Sequence, residues 1–106
     1  ISLVRRTSLM ALTKTIEIDK IEIVSEYRHI HIRTATIIKE DGVELNRSFN
    51  RKVLQCGELD SENNLVDTKV NTETAEIQAI CNAVWTISVK NAWKAFLLSQ
   101  QTLPGS

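Results

Sequence analysis

Apolar and polar residues alternate through Lys14-Thr15-Ile16-Glu17-Ile18-Asp19-Lys20-Ile21-Glu22-Ile23-Val24. A period of two predicts a strand with one face buried. Ile16 and Ile18 are even and Ile21 and Ile23 are odd, so the phase slips at Asp19-Lys20. A bulge or bend there would keep all four isoleucines on the core side. A second strand is expected from about Tyr27 to Lys39. Ile30, Ile32, Thr34, Thr36 and Ile38 share one face, and Tyr27, His29, His31, Arg33, Ala35 and Ile37 the other. Glu40-Asp41-Gly42 then reads as a hairpin turn, because Asp and Gly tolerate positive φ. The third strand runs from Val43 to about Leu54. A two-residue Asp41-Gly42 loop sets Ile38 opposite Leu45, Thr34 opposite Phe49 and Ile30 opposite Val53. A three-residue loop with a glycine bulge shifts each pair by one.

Gln55 to Asn71 reads as a loop, with Gly57, Asp60, Ser61, Asn63, Asn64 and Asp67 as turn or breaker residues. Leu65-Val66 is either a short edge strand or an apolar anchor. A helix is expected to start near Asn71-Thr72-Glu73-Thr74, capped by Asn71 or Thr72, and to run through 75–99. Neither Gly nor Pro interrupts that stretch before Pro104-Gly105. Such a helix would be about 35 Å long. Its apolar arc is broad, roughly 200°, and includes Ile77, Ile80, Cys81, Val84, Trp85, Ile87, Val89, Ala92 and Phe96. A three-stranded sheet covers about one face of a helix. The remaining flank needs another surface, and a second copy of the chain is the simplest one. Trp85, Val89, Trp93, Phe96 and Ile87 are therefore the interface candidates, since large aromatic side chains are favoured anchors.

Composition narrows the class. The chain has 106 residues, 42% hydrophobic and 25% charged, with 3 Gly, 1 Pro and 2 Cys. These are the proportions of an ordinary globular domain, neither disordered nor collagen-like. Residues 10–99 are expected to form one domain, with 1–9 an N-terminal extension and 100–106 a C-terminal tail. Met10 resembles a translation start. No signal-peptide pattern and no run of about 20 apolar residues is present, so a location outside membranes and without its own secretion signal is expected. Cys56 and Cys81 are too few for a disulfide framework and are expected to be free thiols.

The formal net charge is zero. A generic polyanion binder would be expected to carry a basic excess. The zero is a cancellation, however. Residues 27–54 sum to +3 and residues 55–76 to −5. Arg28, Arg33, Arg47, Arg51 and Lys52, interleaved with Tyr27, His29, His31 and Phe49, are the nucleic-acid candidates. They divide between the two faces of the sheet, and Glu40, Asp41 and Glu44 interrupt them at the turn.

Other chemistry has less behind it. His29 and His31 point the same way at i, i+2, as two metal ligands would, but Arg33 follows on that face and no third ligand has the right spacing. They are expected to face solvent. Both cysteines are expected to be buried or half-buried, although Cys56 precedes Gly57 in a turn open to exposure, while Cys81 lies on the buried arc of the helix; neither thiol has a nearby base. No phosphate loop, nucleophile elbow or calcium-loop order occurs. No catalytic residue, cofactor or metal is assigned.

The stretches MALTKTIEIDKIEIV, HIRTATIIKEDGVELNRSF and AEIQAICNAVWTISVKNAW resemble a family of small proteins without assigned function, found in marine tailed-phage genomes and ocean metagenomes. The resemblance covers Met10 to about Leu98 and has no catalytic or ligand motif, so no site residue is carried over. It implies a phage-encoded, virion- or assembly-associated protein, in the infected cell or the virion. The whole reading is an α+β fold: an antiparallel meander of three or four strands, then one long C-terminal helix packed on the sheet. The function expected is that of a non-enzymatic structural or assembly protein that self-associates, with other virion proteins as possible partners. The alternative is a nucleic-acid-binding module built on the 28–52 hairpin.

Overall fold

The computed structural model describes residues 11–101. Three strands, β1 (Leu12–Val24), β2 (His29–Glu40) and β3 (Val43–Leu54), form an antiparallel sheet in the order β1-β2-β3. A second sheet pairs β4 (Gly57–Leu59) with β5 (Leu65–Asp67). Two helices follow, α1 (Ala75–Val84) and α2 (Ile87–Gln101). The fold is α+β. The described chain divides into two compact units, residues 11–21 with 32–52, and residues 22–31 with 53–101.

In the first unit, Asp41 and Gly42 alone separate β2 from β3, with φ of 54° and 81°. Positive φ at both central residues is the type I′ geometry whose twist matches that of the flanking strands. The Asp41 amide also donates to the Ala11 carbonyl at 3.2 Å. Burial in β2 falls on Ile32, then on Ala35 and Ile37, so the buried phase changes from even to odd. The Arg33 guanidinium lies 4.4 Å from the centre of the Phe49 ring. The two-residue loop alone would set Thr34 there. In β1, Ile18 and Ile21 are half-buried, in the shifted phase expected, but Ile16 is exposed.

The second unit is tied together over longer sequence distances. Residues 25–28 turn tightly between β1 and β2, with Ser25 and Arg28 at φ of 70° and 54°. The Ser25 hydroxyl accepts from the Tyr27 amide at 3.1 Å. Ile23 and Val24 are exposed. The β4–β5 register is Gly57 with Asp67, Glu58 with Val66 and Leu59 with Leu65. The Asp60 carboxylate closes that hairpin by accepting from the amides of Glu62 and Asn64 at 2.8 and 2.9 Å. This local bonding is what Asp offers a turn. Leu65-Val66 is thus a strand, and its partner β4 lies within the expected loop. A Cβ at Gly57 would stand 2.7 Å from the Val66 carbonyl oxygen, so only glycine fits that approach.

The expected single helix is two. α1 is capped by Thr74, whose hydroxyl accepts from the Ile77 amide at 3.3 Å, and not by Asn71 or Thr72. It ends at Trp85, with φ −88° and ψ 69°. Thr86 then starts α2: its hydroxyl accepts from the Val89 amide at 3.2 Å, and its carbonyl from the Lys90 amide at 2.9 Å. A threonine hydroxyl competes with the helical ladder, and here it re-initiates the helix without any Gly or Pro. The expected stop at Pro104-Gly105 lies outside the described residues, as do the 1–9 extension and Met10.

Candidate functional site

The interface candidates separate once placed. Trp93 is buried, and its indole N–H donates to the Gly57 carbonyl at 2.8 Å. Trp85 is buried too, and its indole donates to the Arg28 carbonyl at 2.8 Å. A buried indole needs such an acceptor. Both tryptophans are packed within their own unit. Val89 is half-buried, Phe96 is 38% exposed and Ile87 is 77% exposed.

Around Trp93 the second unit gathers an aromatic cluster. Tyr27, Phe96 and His29 lie with ring centres 5.1, 5.4 and 4.8 Å from Trp93, His29 edge-on and Phe96 stacked. His29 therefore does not simply face solvent, as its strand parity implied. It is half-buried, and its Nδ1 is sealed from solvent with no hydrogen-bond partner among the described residues. Burial, and to a lesser degree the charge of His31, hold its imidazole below the usual histidine range. Burial, then the neighbouring Glu26 carboxylate, push the Tyr27 phenol up. The rings pack against one another around the buried Trp93, with Phe96 at the exposed side of the cluster.

The basic candidates are engaged locally. Arg33 forms a two-point pair with Asp19, at 3.0 and 2.8 Å, and Arg47 a two-point pair with Glu44, at 3.0 and 2.8 Å. The hydrogen bond from each guanidinium lowers the pKa of its carboxylate, and Glu44 raises that of Arg47. Such forked pairs neutralise the charge that a phosphate would meet. The Arg28 guanidinium donates to the Ser25 carbonyl at 3.1 Å, within the other unit. Arg51 and Lys52 are exposed on β3. The five cations thus do not form one surface within either unit.

Cys56 and Cys81 are free and fully buried. Burial pushes both thiols up. Among the described residues no three His, Cys, Asp or Glu gather as a metal site would require. No helix among them is long and apolar enough to cross a membrane.

The distinctive surface is on the third strand, most of which (residues 43–52) belongs to the first unit. Every residue of β3 from Val43 to Val53 is exposed, and only Leu54 is half-buried. Val43 and Leu45 are 64% and 57% exposed. Phe49 and Val53 share their parity and are exposed as well. β3 is an edge strand, paired with β2 alone among the described residues. Its outer N–H and C=O row and the apolar residues of its odd-numbered face, interrupted by Arg47 and Arg51, are thus both presented to solvent. No signal in the alternation of β3 tells a covered face from an open one. No protein-family model, curated protein or solved structure matches the chain.

Proposed function

We propose that the protein is a non-enzymatic structural or assembly protein that self-associates through its three-stranded sheet. The observation that carries this reading is the open edge strand β3, a full-length strand whose apolar side chains stand in solvent. Isolated exposed apolar residues are ordinary, but an aligned row on an unpaired edge is a template for another chain. The surface offered by the sheet edge replaces the helix flank as the main self-association element, because Trp85 and Trp93 are already packed. The resemblance to small phage proteins fits such a role, in which copies of one short chain build a larger structure, in the virion or during its assembly.

Light scattering coupled to size exclusion tests the reading. A species heavier than the 12.0 kDa chain, growing with concentration, is expected. A monodisperse particle of one chain at every concentration overturns it.

A further inference from the structure

Resting on the self-association reading, we infer that two copies join β3 to β3, antiparallel, about a two-fold axis at Ser48. The two sheets then run as one across the junction. The partner is a second copy of this chain, because the β3 sequence is complementary to itself in this register.

Residues that face each other across an antiparallel pair lie on the same side of the sheet, so even positions face even and odd face odd. A two-fold at Ser48 sets Glu44 opposite Lys52 of the second copy and Val43 opposite its Val53. It sets Arg47 opposite Phe49, Asn46 opposite Asn50 and Leu45 opposite Arg51. Symmetry makes each of these pairs twice. Opposite charges, paired apolar residues and a cation over an aromatic ring are the favourable cross-strand combinations. Ser48, small and uncharged, meets itself on the axis. The register also uses almost the whole strand, since Ser48 is near its middle.

Neighbouring registers are worse. A two-fold at Arg47 sets that arginine against itself. A two-fold at Phe49 sets Arg47 opposite Arg51, twice. Like charges directly opposed are destabilising. The charges of β3 thus favour the Ser48 register over these two neighbours, while the edge supplies the backbone bonds.

The pairing asks for local exchanges, because Glu44 and Lys52 each already have a contact within the single chain. Glu44 is bonded to Arg47 within the single chain. That pair is exposed, and exposed ion pairs contribute little, so transferring Glu44 to Lys52 of the second copy costs little. Arg47 is then released toward the Phe49 ring of the second copy, while each chain's own Arg33 already lies over its own Phe49. The other edge, β1, is less suited. Its Asp19 is held by Arg33, and any two-fold at Ile18 opposes Glu17 to Asp19.

Cysteine placement and charge exchange test this on the full chain. Ser48→Cys is expected to form an interchain disulfide under mild oxidation, since facing Cα atoms lie within disulfide range. Asn46→Cys and Asn50→Cys should each cross-link poorly alone but efficiently when mixed. The native thiols are buried and contribute little background. Glu44→Lys and Lys52→Glu, each alone, are expected to weaken dimerisation by about tenfold, and the double change Glu44→Lys with Lys52→Glu to restore it. All these positions are exposed, so circular dichroism should stay unchanged. If the wild-type chain associates but Ser48→Cys does not cross-link, or the double change does not rescue, the β3 pairing is overturned and assembly uses another surface. If the wild-type chain is a single copy at every concentration, the self-association reading itself fails, and the pairing with it.

Discussion

The two units of this molecule differ in the large apolar side chains they bury. The second unit buries Ile30, Ile77, Trp85 and Trp93 and gives each indole N–H a backbone acceptor, while Val66 and Ile87 stand in solvent. Among the described residues the first unit buries Ile32, Ala35 and Ile37, all on its central strand, and leaves Ile16, Val43, Leu45 and Phe49 in solvent. The second therefore contains its own hydrophobic driving force. The first leaves an apolar surface in solvent, and the proposed self-association would cover it.

The sharpest way to break the contrast is Trp93→Ala. It removes a buried ring, its aromatic neighbours and the bond to Gly57, and is expected to cost about 3–5 kcal/mol. Urea denaturation at fixed protein concentration reads this. Next is Thr86→Ala, which deletes the α2 cap and should cost about 1 kcal/mol by the same measurement. A gradual effect follows from His29. Its imidazole is held below the ordinary value, so the unfolded chain takes up the proton first. The associated stability is present above about pH 6.5 and is lost as pH falls through the folded-state value. The urea midpoint should therefore drop on acidification, and His29→Phe should flatten that slope. The smallest expected effect is that of Leu45→Ser, within about 0.5 kcal/mol on the stability of the single chain, because the side chain is already in solvent. The same change should reduce the larger species in light scattering. A cost of several kcal/mol would show that Leu45 is packed after all and would erase the contrast between the units.

Where structure is set by neighbours in the chain, it was legible. Asp41-Gly42 has the backbone its residue types demand, and the three strands flanking the two turns follow from alternation. The phase shift of the β1 isoleucines also appears, at Ile18 and Ile21. What depends on distant partners was not legible. The Arg28 carbonyl meets an indole 57 residues away, and nothing near Arg28 announces it. His29 was placed on an outward face by parity, yet Trp93 covers that face. The helix break was hidden for a different reason. Trp85-Thr86 contains no breaker, and only the capping capacity of the Thr86 hydroxyl, the same capacity that starts α1 at Thr74, marks it. Of the candidate surface, the basic residues were visible in composition. Their capture by Asp19 and Glu44 and the openness of β3 are products of the sheet geometry.

The location of the two tryptophans has an optical consequence. Both indoles, the only ones in the chain, belong to the second unit, and each is buried and hydrogen-bonded. Intrinsic emission at the red edge of the ultraviolet therefore watches that unit alone, while far-ultraviolet dichroism sees the helices and both sheets. Melting curves from the two signals superimpose if the chain unfolds as one cooperative body, and separate if the sheet unit yields on its own. The molecule thus carries a built-in reporter for one of its halves, and the difference between the two curves isolates the other.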